Sequence, residues 1–292
     1  MTSVRFDVPA VEFNGLAADI FRQEFLEKVA QSKDEHLNIS PGASGIASCR
    51  RSQYYRLHDY PNSSLRPLAD QGEDRIAAEM GNAVETKVYE HLRAVGIHVQ
   101  DAQSAWAMMS CGEWLYGNWD KKHSPDEVLA LRIVDHQNRE QHNCHVVITG
   151  HPDGLFTVVE TRVLLEIKFM NFRRYADMSA NGIAFFEDYV AQIHSNMAAY
   201  GAKKALLLAF SKDKTAVKTF KRGQVQHGFM HVELVDFDAS VVKAVVERAA
   251  EVVDKRDKKE LPARDHNPEG GERADWQCRW DKYHGQCLAD GA

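Results

Sequence analysis

Between Gly150 and Asn171 the chain reads GHPDGLFTVVETRVLLEIKFMN, with Asp153 in a Pro-Asp-Gly turn and Glu166 and Lys168 flanking Ile167 thirteen residues on. A strand sends alternate side chains to opposite faces, so Glu166 and Lys168 share one face and Ile167 takes the other. Two charges on an otherwise apolar strand are costly to bury unless something pairs with them. A bound metal or a substrate phosphate is such a partner. Asp153 and Glu166, arriving from adjacent strands, can converge on one hard cation, Mg²⁺ or Mn²⁺, and the carbonyl of Ile167 can add a backbone oxygen. Lys168 can then position an attacking water or stabilise charge building on a phosphate. Alone the pattern is weak: an Asp in Pro-Asp-Gly has ordinary turn chemistry.

The elements around it must position these groups. Apolar spacing predicts a helix over residues 17–36 and a long amphipathic one over about 69–95, closing at Gly96. Ser40 with Pro41 reads as an N-cap followed by a first helical position. Residues 97–160 read as strands with loops, EVLALRIVD and HVVITGHPDGLF among them, and a strand follows at 163–168. A helix over 185–200 stops at Gly201, strands cover 205–210 and 229–237, and ASVVKAVVERAAEVVDKRDKK is a strong helix. The expected fold is α/β, a central mixed β-sheet flanked by helices. Three regions are expected: a helical segment at 1–38, a core at 39–260, and a linker with a cysteine-containing tail at 261–292.

The chain has 292 residues, 44% apolar and 27% charged, the composition of an ordinary soluble globular protein. It contains no run of the roughly 20 apolar residues that a membrane-spanning helix needs. The start carries no secretory pattern, and five cysteines do not suggest a disulfide scaffold, so a cytoplasmic location is expected. Net charge is −6, which opposes coating a nucleic acid by bulk charge. Local charge differs: residues 203–222 hold seven basic side chains against Asp213 alone, and Arg50, Arg51, Arg173 and Arg174 form smaller groups. These are solvated faces, or they line a basic channel for a polyanion.

The order of these pieces resembles the PD-(D/E)xK nuclease superfamily, which implies a restriction-endonuclease-like core. Gly81-x3-Glu85 on the long upstream helix is similar to the Gly-x3-His/Glu motif of RecB-like and lambda-type exonucleases. Tyr189-Val-Ala-Gln192 resembles the Gln helix that follows their core motif, and SPGASGIASCRRSQYY their N-terminal Ser/Cys/Arg segment. The resemblance covers residues 39–287. It implies a metal-dependent DNA exonuclease or end-processing nuclease of phage or bacterial recombination or repair. Glu85, Asp153 and Glu166 would hold Mg²⁺ or Mn²⁺, Lys168 would orient water and phosphate, and Gln192 would support the site. Arg50, Arg51, Arg173 and Arg174 are the expected phosphate contacts, Arg51 gripping a terminal phosphate. One departure is plain: the Gln-x3-Tyr of RecB-like nucleases has Asn196 at its last place, with Tyr200 a turn further on.

Some exonucleases of the CRISPR-adaptation and helicase-nuclease kind carry one N-terminal Cys and a C-terminal Cys-x2-Cys-x5-Cys that ligate a four-iron four-sulfur cluster. Cys49, Cys278 and Cys287 fall on three of those places and Asp281 on the fourth. His284 is another candidate ligand and would also suit zinc. A vestigial site with packed thiols is the alternative, and Cys111 and Cys144 read as core thiols. Two rival functions stay open, a CRISPR-adaptation spacer-trimming nuclease with a partner protein and a non-catalytic DNA-binding protein on the same fold.

Overall fold

A computed structural model describes residues 22–23, 25–30, 40–62, 64, 68–100, 104–118, 122–140, 144–212, 229–266, 278 and 281–291. The chain divides into two units, Met1–Glu35 with Arg66–Asn82, and His36–Leu65 with Ala83–Ala292. In chain order the main elements are α1 (Arg50–Leu57), α2 (Leu68–Ala94), β1 (Ala105–Met109), β2 (Trp114–Gly117), α3 (Pro125–Glu140), β3 (Val146–Gly150) and β4 (Gly154–Val158). There follow β5 (Thr161–Met170), α4 (Phe172–Asn181), α5 (Glu187–Tyr200), β6 (Lys204–Ser211), β7 (Met230–Asp236), α6 (Ala239–Lys258) and α7 (His284–Ala289). No described helix is long and apolar enough to cross a membrane.

The described strands form the expected mixed sheet flanked by helices and a second, antiparallel sheet beside it. A mixed four-stranded sheet runs β4-β5-β6-β7, and an antiparallel three-stranded sheet runs β2-β1-β3. β4 and β5 are antiparallel, with Gly154 opposite Leu165, joined through Val159 and Glu160 at φ 44° and 65°. Positive φ at both turn residues matches the right-handed twist of a tight hairpin. β5 and β6 are parallel, Glu166 opposite Leu207 and Lys168 opposite Ala209. Parallel neighbours need a crossover, supplied here by α4 and α5. α5 ends at Gly201, whose left-handed φ of 65° lets its N–H reach back to the Ala198 carbonyl. Leu164, Leu165, Ala205 and Leu207 are fully buried between the helices, which explains the near-continuous apolar sequence of β5 and β6. The two sheets meet at the chain between β3 and β4. There Gly150 lies so close to Trp106 that a Cβ would stand 2.4 Å from the indole.

Two local expectations fail. The segment EVLALRIVD belongs to helix α3, not to a strand. Ser124 and Glu127 close a reciprocal cap around Pro125: the Glu127 carboxylate accepts from the Ser124 N–H at 2.6 Å, and the Ser124 hydroxyl accepts from the Glu127 N–H at 3.4 Å. Leu129, Ile133 and His136 then recur at helical spacing and are the buried face. Ser40 and Pro41 do not open an α-helix. Gly42 bridges to Thr149, a 3-10 turn covers Ala43–Gly45, and α1 starts at Arg50 behind Cys49. Two glycines in four residues remove the backbone restriction that a helix start needs. The expected helix over 17–36 lies mostly outside the described residues; 22, 23 and 25–30 are helical.

Candidate metal and nucleic-acid site

Asp153 precedes β4, and the β4–β5 ladder ends where Gly154 faces Leu165, so β5 continues past its partner. Backbone groups exposed by that overhang need other partners. The Asp153 carboxylate takes one role, accepting from the Ile167 N–H at 2.5 Å. The N–H and C=O of one strand residue leave on the same side, so the Ile167 carbonyl opens toward Asp153 as well. The overhang thus puts a carboxylate and a backbone oxygen together.

Glu166 is fully buried and Lys168 stands beside it on the same face, with Nζ 2.5 Å from Glu166 Oε1. Helix α5 lies across this face and supplies two amides one turn apart. Gln192 Oε1 accepts from Lys168 Nζ at 3.0 Å, and Asn196 Nδ2 donates to Glu166 Oε2 at 3.5 Å. Asn196 is itself held, its Oδ1 accepting from Trp106 Nε1 at 2.8 Å and its Nδ2 donating to the His151 carbonyl at 3.3 Å. Earlier on the helix, the Tyr189 ring sits 5.1 Å from Lys168 Nζ and 4.6 Å from the Arg174 guanidinium. Arg174 also pairs with Asp188.

Glu85 faces this site through Tyr89, one turn along α2. The Tyr89 hydroxyl contacts Glu85 Oε1 and lies 2.5 Å from the Asp153 carbonyl. The phenol donates, and the Glu85 carboxylate and the Asp153 carbonyl both lie within reach of its proton. Burial raises the Glu85 pKa, and the Glu166 charge adds to this against the Tyr89 hydrogen bond. Burial, then the Glu166 charge, holds Asp153 well above the ordinary carboxylate range. Lys168 is desolvated, yet Glu166 and Asp153 overcome that and keep it firmly protonated. Three acidic groups therefore share one ammonium, and burial together with their mutual repulsion favours their protonated forms until a cation offsets the charge. Among the described residues no three carboxylates bring their oxygens all within 4.8 Å of one another. Glu85, Asp153 and Glu166 share a field without forming a closed triad.

The expected positions fare differently. Asp153, Glu166, Ile167, Lys168, Gln192 and Glu85 gather in one neighbourhood. Tyr200 does not: its hydroxyl pairs with Ser104 at 2.6 Å and its ring packs on Tyr116. Asn196 stands at the acid instead. Tyr89 is the other member that sequence reasoning missed; its signal was i+4 spacing from Glu85 on a helix face. Arg50 and Arg51 are engaged elsewhere. Arg50 pairs with Asp265 and Glu251 at 2.7 Å each. Arg51 is buried, donating to the Pro262 carbonyl at 2.9 Å and the Gly291 carbonyl at 2.8 Å. Both tie the C-terminal segment to α1, so neither is offered to a phosphate. Arg173 is exposed on α4. Of the basic run, Lys203, Lys204 and Lys212 are described and 213–222 lies outside the described residues.

Of the tail cysteines, Cys287 lies where α7 meets α1. Cys287 is buried with Tyr54, Tyr55 and Tyr283, and its thiol pKa is raised by burial first and by nearby Cys49 in part. Cys278 is buried, its carbonyl accepting from the Asp281 N–H at 3.0 Å. Among the described residues, both ring nitrogens of buried His284 are without a hydrogen-bond partner. A single zinc ion needs thiolates about 3.8 Å apart, from Zn–S bonds near 2.3 Å in a tetrahedron. Among the described residues no three of Cys49, Cys278, Asp281, His284 and Cys287 meet a 4.8 Å limit. The mononuclear zinc expectation is not met by this geometry.

No family model matches the chain, and no curated protein matches it. Among solved structures, the chain is similar in course to SSO0001, with TM-score 0.48 and 12% identity, covering 96% of this chain and 100% of that one. It is also similar to an alkaline exonuclease, LHK-Exo, from Laribacter hongkongensis, with TM-score 0.40 and 12% identity over 80% of this chain and 92% of that one. The same exonuclease in complex with dAMP gives a TM-score of 0.41.

Proposed function

We propose that the chain is a deoxyribonuclease of the PD-(D/E)xK type, dependent on Mg²⁺ or Mn²⁺ and acting on DNA ends. The reading is carried by one observation. Asp153, Glu166 and Lys168 are drawn together at the β5 overhang, with Glu85 close by, and α5 braces them. A buried surplus of carboxylates calls for a cation. The donor set, Asp153, Glu166, Glu85 and the Ile167 carbonyl, is all oxygen, which suits a hard divalent ion. When bound, that ion lowers the pKa of a water and stabilises charge on a phosphoryl oxygen. Lys168, kept protonated and aimed by Gln192, orients the water and meets the developing charge. Asn196 fixes the rotamer of Glu166, and Tyr89 fixes both Glu85 and the chain at Asp153. Arg173 and Arg174, on the helix after β5, approach the backbone of the substrate.

End-labelled single- and double-stranded DNA, incubated with Mg²⁺, Mn²⁺ or chelator, tests the reading. Metal-dependent release of label is expected. No cleavage of either substrate with either metal, by protein that still binds DNA, would leave the non-catalytic reading in place. We further propose that Cys49, Cys278 and Cys287, with Asp281 or His284, hold an iron–sulfur cluster, since Cys49 lies close enough to raise the Cys287 thiol pKa and, among the described residues, the buried His284 imidazole has no hydrogen-bond partner. Iron and labile sulfide in anaerobically purified protein, lost on Cys49→Ser, are expected; colourless, iron-free protein rejects the cluster.

A further inference from the structure

The thiols read from sequence as core thiols are gathered with a histidine. Cys111 lies in the β1–β2 turn, Cys144 two residues before β3 and His136 on the buried face of α3. Cys144 Sγ stands 3.0 Å from Cys111 Sγ, and Cys111 Sγ stands 3.4 Å from His136 Nε2. Among the described residues this is the one group of His, Cys, Asp or Glu whose ligand atoms all fall within 4.8 Å of each other. On the other side of the imidazole, His136 Nδ1 lies 3.3 Å from Glu113 Oε2.

We propose that Cys111, His136 and Cys144 form a zinc site distinct from the carboxylate site. Two thiolates and a neutral imidazole are a soft-to-borderline donor set that favours zinc over Mg²⁺ or Mn²⁺. Zn–S and Zn–N bonds near 2.3 and 2.0 Å place sulfur and nitrogen about 3.5 Å apart and the two sulfurs about 3.8 Å apart. The first separation is already present between Cys111 and His136. The second requires the sulfurs to part by less than about 1 Å, which the solvent-facing turn around Cys111 and Gly112 can absorb. With Nε2 on the metal, Nδ1–H donates to Glu113, the carboxylate–histidine relay that orients metal-bound imidazoles. A disulfide would use neither His136 nor Glu113, so their placement favours the ion. Binding releases the thiol protons to solvent, leaving two thiolates to neutralise the dication. Cys111 is exposed, so the fourth position opens to water. The ion would staple the β1–β2 turn to α3 and to the start of β3.

Untagged protein purified from zinc-supplemented cells and passed over a desalting column is expected to carry one zinc per chain by elemental analysis. Zinc should be lost from Cys111→Ser/Cys144→Ser and retained in Cys49→Ser/Cys287→Ser and in Glu85→Gln/Asp153→Asn. Glu113→Gln, at an exposed side chain, should weaken zinc about 10- to 100-fold in chelator competition. Should the double serine variant fail to fold, the wild-type chain still decides. Apoprotein titrated with Co²⁺ should develop thiolate-to-metal charge-transfer absorbance, and added Zn²⁺ should protect Cys111 from alkylation. Apoprotein that gains neither signal, zinc unchanged in the double variant, or a Cys111–Cys144 disulfide in protein from a reducing cytosol would each overturn the site.

Discussion

Lys168 shows how a charge can be buried and remain charged: it is balanced by Glu166 at 2.5 Å, aimed by Gln192 and shielded by the Tyr189 ring. On the proposed function, Lys168→Ala and Glu166→Gln should each lower DNA cleavage about a hundredfold or more with folding intact, as removal of a charge-stabilising group does. Rates near wild type would remove them from the mechanism. Asn196→Ala and Tyr89→Phe remove braces rather than reacting groups, and about a 10- to 100-fold loss is expected. The pH response follows from Asp153 and Glu85, both held above their ordinary values of 3.8 and 4.5, by burial first. A raised folded pKa means that the native state binds more protons than the unfolded chain above those ordinary values. Stability of the metal-free protein therefore falls as pH rises through the raised pKa. Metal binding needs both groups ionised, so it strengthens over the same span. Thermal stabilisation by Mn²⁺ should accordingly grow as pH rises above the ordinary carboxylate range, with apparent values that belong to the coupled set. A pH-independent Mn²⁺ shift would contradict ligation by these carboxylates.

The decisive elements are the β5 overhang and the two helices that meet it. β4 stops one pairing short of the charged residues, which frees the Ile167 N–H for Asp153. α5 presents Tyr189, Gln192 and Asn196 at three- and four-residue spacing, so one helix face does the bracing. Elsewhere, α3 depends on its reciprocal cap. Ser124→Ala or Glu127→Ala should destabilise the protein by about 1 kcal/mol in urea unfolding. Because α3 carries His136, the same variants should weaken zinc uptake, while Co²⁺ spectra of the bound form keep their shape. An unchanged unfolding midpoint would show that packing of Leu129 and Ile133 alone sets the helix.

At the scale of the whole molecule, the described part of the tail after α6 is held to α1 by the Tyr54, Tyr55, Tyr283 and Cys287 cluster and by polar contacts. Arg51 donates to Pro262 and Gly291 carbonyls, Arg50 pairs with Asp265, and Tyr55 donates to Asp290 at 2.8 Å. Arg51→Ala would leave two carbonyls without that donor and should cost about 2–4 kcal/mol. Proteolysis of the last thirty residues should quicken accordingly, with DNA affinity little changed. Lost DNA affinity at unchanged stability would instead return Arg51 to the role of a phosphate grip.

The chemistry of Asp153, Glu166 and Lys168 was legible from a turn, an alternation of two and an apolar strand, because local geometry follows from local sequence. The long helix α2, the pair β5 and β6 and the helix closed by Gly201 were readable for the same reason, strong periodicity with clear stops. EVLALRIVD misled because a short apolar run fits either period, and only its cap and its neighbours β1 and β2 decide between them. The destinations of Arg50 and Arg51 were not legible. A guanidinium suits a phosphate or a carbonyl equally, and which one it meets depends on a segment more than two hundred residues away. The same holds for Cys111, His136 and Cys144, whose spacings of 25 and 8 match no ligand pattern. Sequence determined which groups could do chemistry; the pairing of distant elements decided which of them meet, since contact across the sheet is a property of the fold and not of any local run.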